Sequence, residues 1–393
     1  MREGIDKRGM IALAAGHFGT DFANGALPAL LPFLVERFDL SYTLAATVIL
    51  ASTFSSSVVQ PLFGLWSDRR GAIWLLPGGV AIAGIGIALA ADAPSYWLVL
   101  ALVLVSGIGV AAFHPEGSKF AAYVSGRRRA SGMSAFSIGG NLGFALGPTV
   151  ATPLVIWLGL RGGLLLAVPC VVIAAALVAA TGYLSKFVPE RDAERGVTAG
   201  EDQYGALALL LGVIAFRSLA WFGLITFIPL WEVSLGRSKS YGAHLLSLML
   251  LAGGLGTIAA GPAADRLGRR PVLLASVAAT GPLILLFVTV GGAVGALALC
   301  GVGVCVIGTF GVTMVMSQEY LPRHIGMASG LSIGLSIGLG GVAAVALGAL
   351  ADSVDLRTAL YVCAAAPLVA VVPAVFLPSS RARGALEPGV AVP

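Results

Sequence analysis

Gly64-Leu65-Trp66-Ser67-Asp68-Arg69-Arg70-Gly71 and Gly261-Pro262-Ala263-Ala264-Asp265-Arg266-Leu267-Gly268 follow one pattern 197 residues apart: a glycine, an Asp-Arg pair four residues on, and a closing glycine. Each copy interrupts a long apolar run. The same offset carries Pro32 onto Pro229, and Ser131-Gly132-Met133-Ser134 meets Ser329-Gly330-Leu331-Ser332 at an offset of 198. Marks that agree on one offset over most of the chain describe a duplicated unit whose two halves run in parallel.

Composition places that unit in a bilayer. Apolar residues make up 58% of the chain and charged residues 11%, with a mean hydropathy of +0.94. A soluble domain carries about 25% charge, so there is too little polar surface here to coat a soluble particle. About 20 apolar residues make one helical crossing, and the apolar runs predict twelve: 9–35, 43–66, 72–91, 95–122, 128–158, 162–185, 205–232, 242–263, 271–290, 293–316, 325–351 and 356–377. The runs are continuous and rich in Ala, Leu and Gly, which excludes the short alternating strands of a membrane barrel. The expected fold is all-α, with a six-helix bundle at 1–185, a linker at 186–202 and a second six-helix bundle with a short tail at 203–393.

Basic residues orient the bundle. With the N-terminus inside, 18 of the 24 Lys and Arg fall in inner segments, five in outer loops, and one, Arg217, within a span. The positive-inside rule therefore puts both termini in the cytoplasm. The net charge of +5 follows from that topology and gives no reason to expect nucleic acid as a partner. The first apolar run is too long for a signal-peptide core and lacks a cleavage site, so it is expected to remain as the first helix. Cys170, Cys300, Cys305 and Cys363 lie inside apolar runs with neither disulfide nor zinc spacing, and neither a metal nor a cofactor is expected.

A twelve-helix chain in two halves, with this Asp-Arg loop between helices 2 and 3 and again between 8 and 9, resembles the major facilitator superfamily. Phe113-His114-Pro115-Glu116-Gly117-Ser118-Lys119, followed by Gly139-Gly140-Asn141 and Gly147-Pro148, is similar to the fosmidomycin-resistance group of bacterial exporters. The resemblance implies a bacterial inner-membrane transporter of small molecules and compact anionic compounds as cargo. Gly139, Gly143, Gly147 and Pro148 resemble the glycine-proline motif of antiporter helix 5, although Ala151 and Thr152 stand where a second glycine pair is usual. Four-residue spacing puts those glycines on one face, against which another helix can pack.

In the doubled loop, Gly64 and Gly261 permit close helix contact, and Gly71 and Gly268 allow sharp reversal. Asp68 and Asp265, beside Arg69 and Arg266, can cap helix N-termini or pair with arginine in one bundle arrangement and not the other. That makes the loop a candidate conformational latch; the plainer reading is an anchor of positive charge.

Ionisable groups inside spans are the best markers of chemistry, because each costs about 3 kcal/mol at the bilayer centre unless it faces a cavity or partner. His17, Asp21 and Asn24 fall at i, i+4 and i+7 on helix 1, which aligns an imidazole, a carboxylate and an amide. Asp21 sits mid-span, where transporter sites lie, and is the first proton-coupling candidate; the alternative is a hydrogen-bond network that locks helices. His114 and Glu116 flank helix-bending Pro115 and are further proton candidates, although two residues apart they do not share a face, and Lys119 is placed to neutralise Glu116. Arg217 corresponds by the 197-residue offset to Thr20, beside Asp21, so its expected partner is Asp21, another polar group or a substrate anion. Trp221, four residues on, and Ser137 with Asn141 on helix 5 complete the cavity candidates, with plain packing the alternative for Trp221.

The sequence holds no His-Glu-x-x-His or Gly-x-x-x-x-Gly-Lys, so an embedded zinc hydrolase and a nucleotide-driven pump are both disfavoured. Secondary transport remains. The expectation is a monomeric proton-coupled exporter, with proton-coupled uptake of a small organic anion as the rival.

Overall fold

The computed structural model describes residues 4–70, 72–126, 128–187, 201–323 and 325–378, and among them the secondary structure is helical, with no strand. The helices are α1 (Lys7–Phe38), α2 (Tyr42–Arg70), α3 (Leu75–Ala91), α4 (Tyr96–Val124), α5 (Arg129–Leu158), α6 (Ala167–Leu184), α7 (Tyr204–Ser234), α8 (Lys239–Leu267), α9 (Arg269–Val290), α10 (Gly292–Gly308), α11 (Phe310–Tyr320), α12 (Ile325–Ser353) and α13 (Leu356–Val375). Polar side chains start several of them. Asp6 accepts from the Gly9 amide at 2.7 Å, Ser238 from Tyr241 at 3.2 Å and Asp355 from Thr358 at 2.6 Å, and a cap of this kind contributes about 1 kcal/mol. Between α8 and α9, Gly268 adopts φ 93°, a backbone that only glycine takes readily, so the chain reverses there as expected.

Ten crossings are long and apolar enough to traverse a membrane, with α10 and α11 counting as one, Gly292–Tyr320. α3 is apolar but has 17 residues, and the hydropathy of α1 is lowered by His17, Asp21 and Asn24. With these two packed among the others, the chain is an all-helical membrane protein of twelve crossings. Trp97 and Trp157, 76% and 78% exposed, lie at one rim, while Trp66 and Trp74 lie exposed at the other, the arrangement of aromatic residues at the two surfaces of a bilayer.

Two expectations change. The sixth crossing begins at Ala167 after a 3-10 turn over Leu160–Leu166, because Gly162 lies so close to the Leu154 carbonyl that the chain must first turn tightly against α5. The tenth is interrupted at Thr309, whose φ of −91° and ψ of 3° leave the helical range. Gly308 there packs on the Gly256 backbone of α8. Of the expected linker, Lys186 and Phe187 close a short 3-10 turn, and 188–200 lie outside the described residues.

On the face where α1 starts, the bonds stay within each half. The Asp6 amide donates to Val124 at 2.8 Å, Tyr183 to Asp6 at 2.8 Å and the Gln203 amide to Tyr320 at 2.7 Å, while Arg269 meets Glu319. At the opposite face they cross between halves. Lys239 meets Glu36, the amides of Tyr42 and Thr43 donate to Asp352 at 2.7 and 2.9 Å, and Thr149 donates to Ser247 at 2.7 Å. Gly348 seats on the Tyr42–Thr43 backbone and Gly341 on Thr53, whereas beside Gly334, Gly338 and Gly261, nearer the first face, a Cβ would meet nothing within 4 Å. Among the described residues the halves are thus clasped at one face and apart at the other.

Candidate functional site

Helix α1 puts Asp21 some 14 residues from its start and 17 from its end, midway through the bundle. Close packing of α1 on α5 fixes its surroundings. A Cβ at Gly139 would overlap the Ala14 carbonyl, one at Gly143 the Phe18 carbonyl, and one at Gly147 the backbone between Phe22 and Ala26. Here the expected stripe of small residues brings two backbones together, with Gly25 of α1 fitted in turn against Phe144.

This packing assembles a cluster around Asp21. His17 Nε2 lies 3.2 Å from Asp21 Oδ2, and His114 Nε2, from α4, lies 3.1 Å from Oδ1. The His17 ring stacks on Phe136 with centroids 4.2 Å apart, and its Nδ1 is 2.9 Å from the Phe136 carbonyl oxygen. A carbonyl oxygen only accepts, so Nδ1 carries the hydrogen and donates it. A neutral His17 then turns a bare Nε2 toward a carboxylate oxygen. That nitrogen lies 3.2 Å from the carboxylate, close enough for the two groups to exchange a proton. The side chains remain 13%, 18% and 24% exposed for His17, Asp21 and His114.

Other sequence candidates fall around it or away from it. Asn24 accepts from Ser52 of α2 at 3.2 Å. Ser137 is half-buried on α5, and Asn141 touches α8 at Gly254 across the junction of the halves. Glu116 is fully buried and bonded to Lys119 at 2.9 Å, while His114 turns to Asp21, so the two do not meet, as their spacing indicated. Trp221 is half-buried and packs against the apolar core.

Of the partners expected for Arg217, the structure has the polar-group one. Arg217 is 3% exposed and donates to Thr309 Oγ1 at 3.1 Å and Thr313 Oγ1 at 3.3 Å, at the break between α10 and α11, rather than to Asp21. The reason lies in the two hydroxyls. They stand one turn apart on one face of the broken crossing, and the fork of a guanidinium spans them. Among the described residues no carboxylate pairs with it.

Of the doubled loop, Gly71 and the side chains of Asp68 and Arg69 lie outside the described residues. In the second copy Asp265 and Arg266 are exposed, and neither makes an ion pair with another described residue. The close contacts expected of Gly64 and Gly261 are not made. A Cβ at Gly64 would rest 3.8 Å from Pro115, an ordinary distance, and one at Gly261 would touch nothing, because the halves are apart at this face.

Sequence reasoning missed Gly140, where a Cβ would collide with His17 Nε2 and Asp21 Oδ2. It also missed the Phe136 carbonyl, the Thr309–Thr313 pair and Asp352. Gly140 was within reach, since it adjoins Gly139 on the helix that packs on α1.

A family model described as Major Facilitator Superfamily matches residues 13–331 and 210–391. The chain belongs to the major facilitator superfamily. As a member it is a multi-pass membrane transporter of small molecules and not an enzyme. It is 32% identical to the MFS-type transporter YfnC of Bacillus subtilis, covering 95% of this chain and 93% of that one. It is 28% identical to the fosmidomycin resistance protein of Escherichia coli, covering 94% and 92%. Among solved structures, a point mutant of the nucleoside transporter NupG superimposes with a TM-score of 0.74 at 14% identity, covering 94% of this chain and 99% of that one, which speaks for the fold.

Proposed function

We propose that this superfamily member is a proton-coupled exporter in the bacterial inner membrane, exchanging compact anionic small molecules for protons by alternating access. The carrying observation is Asp21, held mid-bundle between two imidazoles. A group that must take and release a proton during transport belongs at that depth, and the polar cluster is costly in lipid unless it has such work or such partners. Export is favoured by the similarity to a protein named for fosmidomycin resistance. An anionic cargo is favoured by that name and by Arg217, which leaves positive potential inside the second half without a described carboxylate to cancel it.

The remaining assignments follow the basic residues and the contacts between helices. Both termini and the doubled loop are cytoplasmic by the positive-inside rule, which makes the unclasped face the inner one and this arrangement inward-facing. Residues 1–185 and 203–393 act as two bodies within a monomer, joined by the linker at 186–202. His17, Asp21 and His114 carry the proton; Asn24, Ser137, Asn141 and Trp221 contact cargo, while Asp265 and Arg266 with their first-half counterparts latch the cytoplasmic face in the opposite state.

The test is proton movement in inverted vesicles energised by respiration, on addition of phosphonates and neutral compounds of similar size. Export predicts that an accepted phosphonate releases protons from the vesicle lumen. Proton-coupled uptake of an organic anion uses the same residues and predicts the opposite pH change on the same addition, because anion and proton then enter the lumen together. No pH response to any compound would count against coupling.

A further inference from the structure

We propose that His17, Asp21 and His114 form a binding site for a first-row divalent cation of the zinc type, reached from the unclasped face. The three side chains present one ligand atom each, all within 4.8 Å of one another. The carboxylate oxygens stand 3.2 and 3.1 Å from the two imidazole nitrogens, and a tetrahedral zinc ion with bonds of about 2.0–2.1 Å holds its ligand atoms roughly 3.3 Å apart. The two distances are to different oxygens of Asp21, so a turn of the carboxylate and a drawing-in of ligand atoms now within 4.8 Å would close the set on one ion. Two imidazoles and one carboxylate suit Zn²⁺, Co²⁺ or Ni²⁺ rather than Mg²⁺ or Ca²⁺, which prefer oxygen.

Three further features favour coordination. The hydrogen bond from His17 Nδ1 to the Phe136 carbonyl, at 2.9 Å, selects the tautomer whose Nε2 lone pair points into the cluster, and an outer hydrogen bond of that kind accompanies most metal-ligating histidines. Gly140 lets the α5 backbone approach His17 Nε2 and Asp21 Oδ2 without a side chain that would collide with both. The partial exposure of all three ligands admits water as the fourth. No spacing signature marks the three ligands along the chain, because His114 is 93 residues from Asp21.

Purified protein without a polyhistidine tag is titrated with Zn²⁺ by calorimetry in two buffers of different ionisation enthalpy, and with Co²⁺ by visible absorption. The expected result is one saturable site and the intense Co²⁺ bands of a four- or five-coordinate centre. His17→Gln and His114→Gln should each weaken binding at least about tenfold, whereas His244→Gln, at an exposed position on α8, should not. A wild-type spectrum that stays that of the hexa-aqua Co²⁺ ion overturns the proposal whatever the variants do. Equal affinity in His114→Gln and wild type overturns it as well. Neither readout involves transport, so the metal site stands or falls separately from the proton-coupling reading.

Discussion

Thr43 and Asp352, from α2 and α12 in opposite halves, are bound twice: Asp352 Oδ2 accepts from the Thr43 amide at 2.9 Å and from its hydroxyl at 2.5 Å. Asp352 Oδ1 takes the adjoining Tyr42 amide at 2.7 Å. A carboxylate from one half thus caps the first turn of a helix in the other. With Lys239 and Glu36 it makes the clasp that holds one face shut.

Loss of that cap should favour the opposite arrangement. Hydrogen bonds to a charged group contribute about 1.5–3 kcal/mol, less where water screens them, so Asp352→Ala should shift the equilibrium several-fold. Spin labels at exposed Ser41 and Val354 should report a growing long-distance population. An unchanged distance distribution would mean that packing at Gly348 and Gly341 holds the face without the cap.

Asp21→Asn should end proton-coupled transport while leaving the protein folded. The amide keeps the shape and can donate to His17 Nε2, which fills the gap without a titrating proton. Counterflow of substrate between equal concentrations should survive; uphill movement should not. Uphill transport at the wild-type rate would reduce Asp21 to a structural part.

Two glycines of α5 should separate stability from coupling. Gly143→Ala drives a methyl into the Phe18 carbonyl, and overpacking of this sort costs about 1–3 kcal/mol, to be read as a lower Tm. Gly140→Ala presses instead on His17 and Asp21, whose side chains can turn away, so its Tm should fall less and its proton coupling more. The reverse order would place the cluster's importance in packing.

Asp265→Asn should leave Tm within error, since the side chain is exposed and unpaired among the described residues. If the loop latches only the opposite state, turnover should slow much more than substrate binding weakens. Equal losses in both would remove the latch.

The difference between these tests reflects what sequence can carry. Helix boundaries were legible to within a few residues because apolar runs, caps and turn glycines act locally: α5 was expected at 128–158 and spans Arg129–Leu158. His17 beside Asp21 was legible for the same reason, as both lie on one turn of one helix. His114 was singled out, but its bond to Asp21 was not, because that contact depends on how α4 packs against α1. Arg217 shows the limit of the repeat. Its offset partner beside Asp21 is correct as a register, yet register fixes height and not direction, and the Thr309–Thr313 hydroxyls decide where the side chain turns. The break at Thr309 left no proline to announce it.

Arg217→Lys is the sharpest test of substrate charge. The guanidinium is buried, reaches two hydroxyls that cannot neutralise it, and has no described carboxylate beside it. Lysine keeps the charge but loses the planar fork that engages both Thr309 and Thr313. If the fork serves an anion during the cycle, binding of phosphonates should weaken on the order of tenfold, about 1.4 kcal/mol, while neutral compounds bind as before. Thr313→Val gives the companion measurement, since it removes one hydroxyl from the fork and leaves the charge and the guanidinium in place. An anion-binding Arg217 should then be freed toward the cargo, and anion affinity should hold or rise. Should both variants lower Tm and weaken neutral and anionic compounds alike, Arg217 serves to pin α7 to the broken tenth crossing, and the anionic-cargo reading loses its intramembrane cation.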